Sequence, residues 1–258
     1  VVTLSPSINE IVFALGEGEN VLANTSFCDF PLESKSIKKI GGYNSISLEK
    51  ILEVNPSVVI GQDYDEKLNS NLKDLGIKTL IYKTNTISSI KNTINELGIF
   101  FKQEEKAKEL TSNIDNSLSS LISIVQNQKI LIVISPQKSL SSQIYVTGNF
   151  LYFEDIIKAS GNQNAFYSTN KAQPVVNTEK IIAMNPDIIV LLTPFLEGKI
   201  QEQEQIINSW KQLPINASKN DNIYSIDKLY AGIPSHRIEY FIKDFKKILE
   251  NVRNKQLQ

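Results

Sequence analysis

Ser47-Leu48-Glu49-Lys50-Ile51-Leu52-Glu53-Val54-Asn55-Pro56-Ser57-Val58-Val59-Ile60 decides how this chain is read, because it returns as Asn177-Thr178-Glu179-Lys180-Ile181-Ile182-Ala183-Met184-Asn185-Pro186-Asp187-Ile188-Ile189-Val190. Glu49 and Glu179 lie 130 residues apart, half of the 258-residue chain. In each copy a capping residue, Ser47 or Asn177, precedes a short helix whose first turn carries a glutamate near the positive end of the helix dipole. Asn-Pro then stops the helix, since a residue before proline is pushed out of the α region. A continuous β-branched run follows, as expected for a strand buried on both faces of a parallel sheet. The unit is helix, break, buried strand, and two copies predict two similar α/β lobes.

Working outward, Val1 to Leu4 reads as a strand, Ser5-Pro6-Ser7 as a turn, and 8–16 as a helix ended by Gly16. Val21 to Ala23 reads as a second strand before the aromatic loop Phe27-Cys28-Asp29-Phe30-Pro31. Gly41-Gly42-Tyr43-Asn44 is a turn that delivers one aromatic just ahead of the first repeat. Beyond the repeat, 65–75 is a polar helix, 79–82 a strand and 87–101 a helix. From Gln103 to Gln126 there is no Gly or Pro, and Leu110, Ile114, Leu118, Leu121 and Val125 recur at helical spacing. That stretch predicts a connecting helix about 35 Å long. The second half restarts with Ile130 to Ile134 and then Ser135-Pro136, as Ser5-Pro6 followed the first strand. A short strand at 144–146, a helix at 151–159 and a long loop over 162–176 lead into the second repeat. A helix around 202–212 carrying Trp210, a strand at 223–226 and a closing helix from Pro234 to Leu249 complete it. The expected organisation is an N-terminal α/β lobe over 1–102, a connecting helix over 103–127 and a C-terminal α/β lobe over 128–258.

Composition narrows the function. Basic and acidic residues number 27 and 28, without the cationic excess of a nucleic-acid binder. One cysteine, Cys28, forms no internal disulfide and reads as a buried thiol. One histidine, His236, rules out a multi-histidine metal site. Phosphate-loop, dinucleotide and nucleophile-elbow motifs are all missing. The chain therefore reads as a binder rather than an enzyme. Aromatics recur in loops that follow strands: Phe27, Phe30, Tyr43, Tyr64, Tyr145, Phe166, Tyr167 and Tyr230. Ligands of α/β domains sit outside the carboxyl ends of strands, and a cleft between two lobes would gather such loops around a large, flat, partly apolar ligand. Each of these aromatics also serves ordinary loop packing; Tyr43, after two glycines, stands apart as a ligand contact.

These motifs resemble the substrate-binding proteins of the iron-siderophore, haem and vitamin B12 class of ABC importers, and closest among them the vitamin B12 binding proteins. The likeness rests on Leu4 to Ile11 with Ala14-Leu15-Gly16, on Phe27 to Pro31, and on Gly41-Gly42-Tyr43 leading into Ser47 to Ile51. It continues through Leu75-Gly76, Gly161-Asn162, Val175 to Glu179 and Pro234-Ser235-His236-Arg237-Ile238. The resemblance implies an α/β fold of two Rossmann-like lobes bridged by one long rigid α-helix, with the ligand cleft between the lobes. It implies a periplasmic protein with no catalytic cofactor, which captures a corrinoid and delivers it to a permease dimer through Glu49 and Glu179; arginine takes a carboxylate bidentately, so such contacts orient as well as attract. The chain opens on Val1-Val2-Thr3-Leu4 without a methionine or signal segment, the expectation for a trimmed mature form whose membrane contact is through the permease or a lipid anchor.

The resemblance places ligand contacts at Phe27 and Tyr43 and at the positions of Gln62 and Gln173, and the loop aromatics Tyr64, Tyr145, Tyr167 and Tyr230 complete the expected ligand-binding set. At Gln62 and Gln173 the chain departs from the B12 pattern, which has aromatics there. Haem-binding relatives place an iron-ligating tyrosine at the Tyr43 position, so haem is an alternative ligand, with Tyr43 as metal ligand and Tyr145, Tyr167, Tyr230 or His236 available opposite. A ferric siderophore is the third member of the class, but anionic chelates are usually met by arginines and only Arg237 and Arg253 exist. An enzyme on the same two-lobed plan is the reading from another class; it requires clustered cysteine or histidine ligands.

Overall fold

The computed structural model describes residues 1–42, 45–63, 65–140 and 143–258. The chain divides into two compact units: 1–113 with 233–236, and 114–232 with 237–258.

In the first unit, β1 (Val2–Thr3) leads into α1 (Pro6–Ala14), then β2 (Ala23–Asn24), β3 (Lys38–Lys39), α2 (Leu48–Glu53), β4 (Val59–Gln62), α3 (Glu66–Asp74), β5 (Thr79–Tyr82) and α4 (Ile87–Phe101). The sheet order is β3-β2-β1-β4-β5, and all pairings are parallel, with Val2 opposite Ala23 and Val59. Val2, Leu4, Ala23, Val59 and Ile51 form one core with Leu68 and Leu72. Burying each such aliphatic side chain contributes about 1.5–3 kcal/mol. The unit also takes in 233–236, where the Ser235 hydroxyl donates to the buried Glu10 carboxylate.

The helix α5 (Glu104–Ser119) carries the chain into the second unit. It stops short of the 103–127 connector read from the sequence. After Ser119 the backbone closes three-residue turns, Leu121 N–H to Leu118 O and Ile122 N–H to Ser119 O, and Ser123 and Asn127 take left-handed φ of 63° and 59°. Leu121 and Val125 are buried all the same, so their spacing recorded burial rather than helix.

The second unit runs β6 (Lys129–Ile134), β7 (Ile144–Val146), α6 (Tyr152–Ala159), β8 (Gln163–Asn164), β9 (Val175–Val176), α7 (Thr178–Met184), β10 (Ile188–Leu192), α8 (Ile200–Lys211), α9 (Asn216–Lys219), β11 (Ile223–Ile226) and α10 (Ile238–Gln256). Its order is β11-β10-β6-β7-β9, with β8 beside β6. The core strands β6, β10 and β11 are parallel, Val190 pairing Ile132 and Tyr224, while β7 runs antiparallel to β6 and β9. The long loop expected over 162–176 thus contains two short strands. Trp210 is fully buried under this sheet with Ile181, Leu191 and Ile206. The closing helix begins at Ile238 rather than Pro234, because Ser235 is committed to Glu10 in the first unit.

Both repeats end as helix, break, strand. Ser47 and Asn177 accept from the Lys50 and Lys180 amides at 3.2 and 2.8 Å. The break is made by Asn55 and Asn185, both left-handed at φ 43° and 45°, a conformation asparagine tolerates better than most residues. Among the described residues no helix is long and apolar enough to cross a membrane.

Candidate functional site

In an open parallel sheet, ligands lie beyond the carboxyl ends of the strands where the strand order reverses. In the first unit that point is between β1 and β4; in the second it is between β6 and β10.

At the first of these, Ser5 caps α1 and the Ser7 hydroxyl donates to Gln62 Oε1 at 3.3 Å. Gln62 Nε2 in turn donates to the buried Thr84 hydroxyl, so the Gln62 amide, at the end of β4, is engaged at both ends and ties the first turn of α1 to the loop after β5. Phe27 stands on the adjoining loop, 59% exposed. Its ring lies 3.3 Å from where a Cβ on Gly42 would be, which brings Phe27 against the glycine turn that leads to Tyr43. Gly41 has φ 119° and a Cβ there would meet the Ser45 carbonyl at 2.1 Å, so only glycine fits. Tyr43 and Tyr64 themselves lie outside the described residues.

The Phe27 loop is held from below. Lys39 Nζ donates to Asn24 Oδ1 at 2.8 Å and to the Ser34 and Cys28 carbonyls at 2.9 and 3.1 Å. Asn9 Nδ2 donates to Ser34 Oγ at 2.8 Å and to the Phe30 carbonyl at 3.1 Å. Satisfied buried networks of this kind fix one conformation and so present an exposed ring at low entropic cost. Cys28 is buried in it, and burial pushes its thiol pKa up, which makes it a poor nucleophile.

At the second switch point an open crevice of about 400 Å³ is lined by Ser135 to Ser139 after β6, by Leu192 to Leu196 after β10, and by Glu202 and Ile206 of α8. Phe195 is 76% exposed at its edge. Lys138 and Glu202 pair across it at 3.7 Å. Thr193 is buried, and its hydroxyl has no hydrogen-bond partner among the described residues. A buried hydroxyl is costly to leave unpaired, and at the wall of an open crevice water or a polar group of a ligand completes it.

The remaining sequence candidates fall in this unit. Tyr145 sits on β7, exposed and opposite Val175, beside a smaller crevice that shares Ser135, Pro136, Gln137 and Ser139 with the first. Tyr167 is 76% exposed on its loop. Gln173 uses its amide to donate to the Val146 carbonyl at 2.8 Å, closing the loop onto β7. Tyr230 donates its hydroxyl to Asp244 at 2.5 Å and has its ring edge against Tyr240. Burial, more than that bond, raises its pKa well above the ordinary tyrosine range. Sequence reading passed over Thr193, Phe195, Lys138 and Glu202. The signal was there: Thr193-Pro194-Phe195 follows a buried strand as a polar-Pro-aromatic turn.

Glu49 and Glu179 are exposed on α2 and α7, and among the described residues neither forms an ion pair. Among the described residues no three His, Cys, Asp or Glu converge as a metal site.

Compared with known proteins, residues 1–230 match the family model for periplasmic binding proteins. The chain belongs to that family. Its members are substrate-binding transport proteins rather than enzymes, and they work outside the cytoplasm and deliver ligand to a permease. Similar sequences include the ABC transporter substrate-binding lipoprotein YvrC of Bacillus subtilis, 27% identical and covering 88% of this chain and 72% of that protein. The vitamin B12-binding protein of Vibrio parahaemolyticus is 24% identical, covering 99% of this chain and 91% of the relative. Among solved structures, the vitamin B12 binding protein BtuF of Vibrio cholerae superposes with a TM-score of 0.83 at 17% identity, covering 98% of this chain and 96% of that one. A possible iron-binding solute-binding protein from Staphylococcus epidermidis gives 0.76 at 26% identity, covering 96% and 97%. The two-lobed α/β plan read from the repeat is the plan of this family.

Proposed function

We propose that this periplasmic binding protein captures a corrinoid for an ABC importer. The observation that carries the reading is the crevice at the second switch point, where the exposed ring of Phe195 stands beside the buried Thr193. An apolar face with few polar anchors suits a broad macrocycle edged with amide groups, which can accept from or donate to a hydroxyl. The similarity to vitamin B12-binding proteins over nearly the whole chain supports it.

In this reading Phe27, Tyr43 and Tyr64 are the first unit's aromatic contacts, with Gln62 positioning the loops beneath them. Phe195, Tyr145 and Tyr167 are the contacts of the second unit, Gln173 holds its loop in place, and Tyr230 ties the turn before α10 to that helix through Asp244. Glu49 and Glu179 dock on arginines of the permease dimer, one from each repeat. Haem is the second reading; it makes Tyr43 the iron ligand, a role suited to a tyrosinate oxygen.

Titrating the apo protein with cyanocobalamin and with haemin, and following heat and absorbance, separates the two. The corrinoid reading expects saturation well below about 10 μM, which corresponds to about 7 kcal/mol. It also expects Phe195→Ala to weaken binding about tenfold, a loss of about 1.4 kcal/mol. No corrinoid binding at that concentration overturns it. A haemin absorption band that Tyr43→Phe abolishes establishes the second reading instead.

A further inference from the structure

From Thr25 to Lys39 the chain puts no side chain into the first unit's core around Val2 and Ile51. The large apolar side chains of this loop, Phe27, Phe30 and Leu32, are exposed. Polar contacts therefore hold it, and three of them converge on one atom. Lys39 Nζ donates to Asn24 Oδ1 at the end of β2, to the Cys28 carbonyl one residue after Phe27, and to the Ser34 carbonyl, at 2.8, 3.1 and 2.9 Å. All three acceptor residues are buried. An ammonium has three donors and no acceptor, so the count closes with nothing left over. No carboxylate joins it: among the described residues Lys39 forms no ion pair, whereas its neighbour Lys38 turns to the other side of β3 and pairs with Glu53.

We infer that Lys39 is the positioning residue for the Phe27 ring, a cation caged by neutral oxygens that sets the ligand-contacting loop before any ligand arrives. The inference rests on the corrinoid reading and on Phe27 as one of its contacts. Three oxygens turned toward one point repel one another, and a cation with N–H donors reverses that repulsion through charge-assisted bonds stronger than neutral ones. Arginine does not replace it, because a planar fork spreads its donors instead of gathering three at a point. One nitrogen thus ties the start of the loop, the peptide beside Phe27 and the turn at Ser34. A loose loop would have to be ordered at the expense of binding energy, and a caged one has already lost that freedom. The Phe27 ring, packed against Gly42, carries the same brace to the glycine turn.

The test is calorimetric titration of the full chain with cyanocobalamin, run beside melting curves. Phe27→Ala and Lys39→Met are each expected to weaken binding about tenfold. The double variant is expected to bind about as weakly as Phe27→Ala alone, since a residue that acts through the ring has no effect once the ring is gone. Propylammonium added to Lys39→Ala returns the cation without its tether and is expected to restore affinity with little change in melting. Tetramethylammonium, which has no N–H, is expected to restore nothing. Losses that multiply to about a hundredfold in the double variant, or native affinity in Lys39→Met beside a weakened Phe27→Ala, refute the positioning role and leave the corrinoid reading standing. Rescue of melting and affinity in step refutes it too, making Lys39 a stabiliser of the fold. If the native protein binds no cyanocobalamin, or Phe27→Ala binds it as tightly as the native protein, the contact falls and this inference with it.

Discussion

The two copies of the repeat have kept their helices and lost the likeness of the loops before them. Ile51 and Ile181 occupy the same place in two separate cores, and the caps and left-handed asparagines correspond as well. Yet Gly41-Gly42-Tyr43 stands where the second copy has Lys171-Ala172-Gln173. The first turn packs Phe27 on a glycine; the second folds back on β7 through the Gln173 amide. Packing demands the same buried positions twice, whereas the loops ahead of the helices carry no share of either core and are free to diverge. The switch points differ in the same way. Gln62 braces the first through Ser7 and Thr84, while the second is left open over Thr193 and Phe195.

The largest effect should be one on which the halves agree. Ile51→Ala and Ile181→Ala each remove a fully buried side chain and should each cost about 2–5 kcal/mol, read by urea denaturation; a cost in only one of them breaks the equivalence of the repeats. Gly41→Ala should cost about 1–3 kcal/mol, because its backbone is left-handed and its new Cβ meets the Ser45 carbonyl. Lys171→Ala, at the matching position, should be nearly silent in the same melting experiment. Gln173→Ala should cost about 1 kcal/mol for one lost hydrogen bond and raise amide exchange around Val175. A stability equal to the native protein's would mean that the bond to the Val146 carbonyl holds nothing in place.

The smallest effect concerns Glu53 and Ala183. Lys38 hydrogen-bonds the Glu53 carboxylate and holds its pKa below the ordinary 4.5. A depressed carboxylate pKa stabilises the fold above the ordinary value, and that contribution is lost as pH falls through the folded-state pKa. Both groups are exposed, so the contribution is slight. Lys38→Ala should therefore leave melting unchanged at pH 3 and lower it marginally at pH 7. A larger loss at pH 3 would reverse the assignment.

Periodicity and repetition were enough to establish the two α/β units, the buried strands, the caps and the exposed glutamates, because each follows from neighbours a few residues apart. The same local reasoning overran at Ser119, where burial of Leu121 and Val125 imitated a helix, and at Pro234, where the chain first returns to Glu10. At the candidate site the sequence marked Phe27, Tyr145 and Tyr167 as aromatics in loops or on a strand edge, and their exposure accords with that. It could not tell that Gln62 and Tyr230 are engaged by Thr84 and Asp244, nor that Thr193 and Phe195 meet Ser135 and Lys138 around one crevice. Those relations join residues 14 to about 60 positions apart through the order of strands in a sheet. Strand order is chosen by how whole faces bury one another, so only the tertiary structure decides it.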